Sequence, residues 1–265
     1  MPLSSLRWLQ RLALLGTLAA LAILGASALL RLSTVFALDG HPLSTLPAAL
    51  EHATRLLHRL CASAVALLAL GAIALCWTQR HSRAGLAWPV AWIVAATVIL
   101  ALIGPLTPGY KLASVTVANV SVGVVLLVAF WWLYESATQR QRPAQALDGF
   151  GWATLAAVLV QVATGAGASA AAMHALHWPT FVHLGTLPLA LILIGAVLLD
   201  QRRARARQHA ALAGLLALQL FAGYVLMGQE PRSVGLSFFH AMLAPLLAMA
   251  LVSLSLRGVP GAAQG

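Results

Sequence analysis

The chain has 265 residues, of which 61% are hydrophobic and 8% charged, with a formal net charge of +10. One core of that length cannot hide so much apolar surface, which excludes an ordinary soluble domain. The basic excess does not indicate a nucleic-acid partner either, because the arginines fall in short connectors between apolar runs, where the positive-inside rule places them. The composition predicts an all-α integral membrane protein whose main partner is the lipid bilayer.

Apolar runs long enough to cross roughly 30 Å of hydrocarbon as helices recur eight times, near residues 9–30, 53–77, 87–107, 111–134, 150–170, 180–199, 210–227 and 236–256. The first follows "RWLQR" and has the outline of a signal peptide. It is long for one and lacks a small-x-small cleavage pattern before the polar loop, so it is assigned as the first span. A cytoplasmic N-terminus gathers Arg7, Arg11, Arg80, Arg83, Arg140, Arg142, Arg202, Arg203, Arg205, Arg207 and Arg257 on the inner side, eleven of the sixteen Lys and Arg residues. The connector "DQRRARARQ" contributes most to that asymmetry and also suits anionic lipid. The expected location is the inner (plasma) membrane, multi-pass, with both termini cytoplasmic.

In the second run, "RLLHRLCASAVALLALGAIALCW", His58 stands between Arg55 and Arg59 at the mouth of the span. Cys61 and Cys76 lie fifteen residues apart in it, roughly 22 Å along a helix, too far to pair; both read as small packing residues. Trp131, Trp132 and Tyr134 at the end of the fourth run predict an aromatic belt at the cytoplasmic interface. Among the connectors, His41 in "DGHPLS" reads as a solvated turn residue. His174 and His177 in "MHALHWP" have H-x-x-H spacing but no further ligands nearby, and read as interfacial. Glu230 and Arg232 in "GQEPRS" read as a loop ion pair or turn.

Laid over the first half, the second half repeats it. "LAILGASALLRLS" matches "VQVATGAGASAAA" with Gly25 on Gly165, and "HRLCASAVALLALGAIAL" matches "HLGTLPLALILIGAVLL" with His58 on His183. "LALIGPL" matches "QLFAGYV" with Gly104 on Gly223. "NVSVGVVLLVAFWW" matches "HAMLAPLLAMALVSL" with Asn119 on His240, so that the offsets run from 119 to 140 residues. Residues 1–142 and 143–265 are therefore expected to form two tandem four-helix bundles. Because each has an even number of spans, the bundles are parallel, unlike the inverted repeats of many transporters.

His58, His183 and His240 all fall near the external end of an even-numbered span, at one depth. Ionisable residues in membrane helices are costly and face the bundle interior or a watery cavity, and imidazole is an axial ligand of heme iron. In residues 143–265, His183 and His240 could clamp one low-spin heme b between two imidazoles, a saturated coordination suited to electron transfer. In residues 1–142 the matching partner is Asn119, whose amide is a poor iron ligand. His58 then either binds a heme alone, with an open sixth position, or binds none permanently.

With these features the chain resembles the heme A synthase family, through "GASALLRLS" ending the first span, "HRL" opening the second, "FVHLGTLPLAL" in the sixth, "LQLFAGY" in the seventh and "FFHAMLAPLL" in the eighth. The resemblance implies a membrane oxidoreductase that converts the ring D methyl group of heme O to a formyl group for cytochrome oxidase assembly. Substrate heme O would sit in the N-terminal half and a heme b relaying electrons in the C-terminal half. His183 and His240 match the heme b ligands, and His58 matches a ligand of the substrate heme, with iron as the metal throughout. Arg59 would either meet a heme propionate or snorkel to lipid headgroups. Implied partners are heme O, the synthase that supplies it and an unidentified electron donor; a homo-oligomer stays open.

Two departures from the family pattern bear on catalysis. The family opens the second span with Glu-x-x-His-Arg, whereas "RLLHR" places Arg55 at the carboxylate position; Glu51, about 10 Å from His58 along the helix, is the nearest substitute. Asn119 stands where the family has histidine. The alternative expectation is a noncatalytic heme b-binding membrane protein, a carrier or assembly factor that has lost that carboxylate and one histidine.

Overall fold

The computed structural model describes residues 3–38, 46–78, 84–106, 112–138, 147, 149–172, 178–200, 206–228 and 233–256. Among these the protein is all-helical: α1 (Leu3–Leu38), α2 (Ala48–Thr78), α3 (Ala87–Ile103), α4 (Ala113–Thr138), α5 (Gly149–Ala172), α6 (Trp178–Leu199), α7 (Ala206–Gly228) and α8 (Val234–Ser255). Short 3₁₀ turns at Ala84–Leu86 and Gly104–Leu106 flank α3. All eight helices are long and apolar enough to cross a membrane, and they extend the runs read from the sequence by a few residues at most ends.

These helices are apolar around most of their circumference, so large side chains such as Leu67, Leu70, Leu102, Ile192 and Leu199 stand exposed on the outside. Lipid tails accept such surface, whereas water would penalise it by about 25 cal/mol per Å². Hydroxyls inside the spans close onto the preceding turn: Thr17 donates to the Ala13 carbonyl at 2.9 Å, Thr54 to Leu50 at 2.7 Å and Thr97 to Ile93 at 2.7 Å. No water is then needed to satisfy them in the hydrocarbon.

α1 packs on α2 and α4, and α3 packs on α4 and α2; α5 packs on α6, and α8 on α7 and α5. α6 meets α7 along a short stretch only. α4 and α1 carry the contacts onward to α5 and α8. Two apolar cores result. Leu9, Val65, Ile93 and Phe130 centre the first, among α1 to α4, and Leu24, Leu127, Val158 and Leu251 the second, which draws on α1, α4, α5 and α8 with Ile194 of α6 and Leu212 of α7 at its side. Gly16 permits the α1/α4 approach, since a Cβ there would strike the Phe130 ring.

The aromatic belt expected at the end of α4 points inward instead. Trp132 is only 3% exposed and meets Trp152 edge-on, with centroids 5.7 Å apart. Trp131 donates to Ser253 Oγ at 2.7 Å, and Ser253 donates to Glu135 Oε1 at 3.0 Å, which ties α4 to α8. These rings serve helix packing because α4 is the most enclosed helix, so its terminal turn has little lipid to face. Cys61 and Cys76 are both free thiols, as expected.

His41, His174, His177, Glu230, Arg232 and most of the connector arginines (Arg80, Arg83, Arg140, Arg142, Arg202, Arg203, Arg205 and Arg257) lie outside the described residues.

Candidate functional site

α6 enters at Trp178 and α8 at Val234, where Ser233 caps the helix by accepting the Leu236 amide at 3.3 Å. His183 and His240 therefore stand within the first two turns of their helices. Each is followed five residues later by a proline inside the helix, Pro188 and Pro245. A proline has no N–H to give the carbonyl four residues back, so the helix loses one internal bond just beyond each histidine, to Leu184 and to Ala241.

Neighbouring helices hold the two imidazoles in similar ways. The His183 ring packs over Gly165 of α5, where a Cβ would lie 3.1 Å from Cε1, and the His240 ring packs over Gly223 of α7, where it would lie 3.2 Å from Cε1. Four residues before each glycine is a glutamine. Gln161 donates to the His183 carbonyl at 3.3 Å and to Thr186 Oγ1 at 2.8 Å. Gln219 Nε2 lies 3.4 Å from His240 Nε2.

The Thr164 hydroxyl lies 2.9 Å from the Val160 carbonyl and 3.0 Å from His183 Nδ1. With the proton on Nδ1, His183 would keep the Nε2 lone pair, the arrangement a metal-ligating histidine needs. The buried His240 Nδ1 has no hydrogen-bond partner among the described residues, a deficit worth about 1–3 kcal/mol.

These observations fit a heme between α6 and α8: two imidazoles on opposite helices, each seated where a side chain larger than glycine would intrude, one ring incompletely satisfied, and a thin seam at α6/α7. His183 and His240 would be the ligands. A heme held this way supplies reversible one-electron transfer. Gln161, Thr164 and Gln219 were not singled out in the sequence. The signal was a Gln-x-x-x-Gly pair in α5 and again in α7; the positions matching those glutamines in α1 and α3 are Leu21 and Leu100.

The N-terminal half differs. His58 and Asn119 do come together, lining one cavity with Ser27, Leu100 and Gly123, but the cavity is about 20 Å³, room for roughly one water and far below the several hundred Å³ of a cofactor pocket. Glu51 does not reach it: its carboxylate accepts from Arg55 Nε at 2.9 Å and Nη2 at 2.6 Å on the exposed side of α2. Arg59 is exposed on the same helix. Glu135 is buried sixteen residues beyond Asn119 on α4, about 24 Å along the helix. As packed, this half offers one imidazole and one amide to a space that does not admit a porphyrin. Among the described residues, no group of three or more His, Cys, Asp or Glu side chains could hold a bare metal ion.

Compared with known proteins, the chain matches no family model and no curated sequence.

Proposed function

We propose that this chain is a membrane heme protein of the heme A synthase type, holding a heme b between His183 and His240. The observation that carries the reading is the paired seating of those imidazoles, each over a glycine and beside a glutamine of the adjacent helix. The family assignment itself rests on the order of the sequence segments quoted above. The reaction the resemblance implies is oxidation of the ring D methyl group of heme O with dioxygen as the oxidant and electrons relayed through the C-terminal half; holding the substrate heme at His58 would require the water-sized cavity there to open. The tandem arrangement of residues 1–142 and 143–265, the inner-membrane location and the cytoplasmic termini belong to the same proposal. It is supported by the segments matched across the halves and by helix contacts within each set of four, alongside which α4 and α1 also pack on α5 and α8.

A second reading, a noncatalytic heme b carrier or assembly factor, is favoured by the Glu51–Arg55 pair and the water-sized cavity at His58. Heme extraction and chromatography from membranes of a heme O-producing host, with and without the protein, separates the two. Heme A appearing only with the protein establishes the synthase. Bound heme b with no heme A establishes the carrier, and absence of any heme refutes both.

A further inference from the structure

Arg31, in about the eighth turn of α1, is only 5% exposed. Although α1 belongs to the first half of the chain, Arg31 faces the second: it lines a cavity of about 30 Å³ with Val162 of α5 and with Ala241, Met242 and Pro245 of α8. Val162 is next to Gln161 on α5 and Ala241 is next to His240 on α8, so the cavity lies one residue along each helix from the groups around the two imidazoles. A second wall, of Leu24, Ser27 and Val120, separates it from the cavity of His58 and Asn119.

A guanidinium stays charged in any protein environment and carries five N–H donors in a planar fork, more than one protein contact exhausts. Its best complement is a carboxylate, met by two parallel hydrogen bonds. A heme between α6 and α8 has two propionates, and Arg31 is the cation whose cavity touches the α5 and α8 turns beside it. We infer that Arg31 binds a propionate carboxylate of the heme seated by His183 and His240, so that a residue of the first half completes the binding site of the second. This inference rests on the heme b reading.

The test titrates detergent-solubilised apoprotein with hemin and with hemin dimethyl ester, whose propionates are neutral, in wild type, Arg31→Gln and Arg31→Lys. The wild type is expected to prefer the diacid about ten- to a hundredfold, the range of a charge-assisted hydrogen-bonded pair. Arg31→Gln is expected to weaken diacid binding alone and bring the two ligands within about threefold, and Arg31→Lys to restore part of the preference. A wild type that binds both ligands equally, or an Arg31→Gln protein that keeps the preference or loses both ligands alike, overturns the inference and assigns the guanidinium to helix packing or lipid phosphate. The wild-type comparison and Arg31→Lys retain this power if Arg31→Gln does not fold. Binding of neither ligand by the wild type refutes the heme reading itself.

Discussion

Replacing Gly165 or Gly223 by alanine probes the proposed heme seat most directly. The new Cβ would stand 3.1 Å from His183 Cε1 or 3.2 Å from His240 Cε1, against about 3.5–4.0 Å for relaxed carbon contact. The ring must retreat by about 0.3–0.9 Å. His183 cannot do so freely, because its Nδ1 is held by Thr164 at 3.0 Å. Overpacking of this kind costs about 1–3 kcal/mol, while alanine in place of glycine returns about 0.5–1 kcal/mol of helix stability. The net loss of about 1 kcal/mol falls on ring placement and corresponds to about five- to tenfold in heme affinity. Gly214→Ala on α7 and Gly195→Ala on α6 are matched controls, since a Cβ at either meets nothing within 4 Å. The assay is hemin titration followed at the Soret band, with the low-spin α/β bands reporting ligation. If Gly165→Ala and Gly223→Ala bind heme as the two controls do, the glycines are not seating the imidazoles and the reasoning fails.

Removing either imidazole, by His183→Ala or His240→Ala, is expected to abolish the low-spin heme b spectrum of the purified protein, whereas Asn119→Ala leaves it intact; a retained spectrum in either histidine variant refutes the ligand pair. Thr164→Val removes the hydroxyl 3.0 Å from His183 Nδ1 and is expected to lower heme affinity about tenfold or more and shift the midpoint potential, both measured by spectroelectrochemical titration. Glu51→Gln breaks an exposed i,i+4 pair worth about 0–1 kcal/mol and should leave both Tm and any heme A yield unchanged. Loss of heme A in that variant would instead make Glu51 the substitute catalytic carboxylate. Glu135→Ala should lower Tm in detergent, by removal of a buried hydrogen-bonded group worth about 1–3 kcal/mol, with no change in the heme spectrum.

The amino-acid sequence alone determined that eight helices form, because apolar length is a local property: about twenty residues without charge can satisfy their backbone in lipid only as a helix. It also singled out His183 and His240, since a titratable ring in an apolar span stands out against its neighbours. What surrounds those rings was decided by tertiary packing. Gln161 and Gln219 sit on different helices from the histidines they contact, and in sequence they are isolated polar residues with no assigned partner. Arg31 illustrates the same limit, because near the end of α1 it has the outline of an interfacial arginine, and only the junction of α1, α4, α5 and α8 encloses it. The aromatic run of α4 was placed in a lipid-facing belt for a related reason: composition gives depth in the bilayer but not azimuth, and azimuth depends on which helices enclose α4. The distance between Glu51 and His58 along α2 was legible, whereas the direction of the carboxylate was settled by Arg55, one turn on, which offers it two N–H donors at the exposed surface.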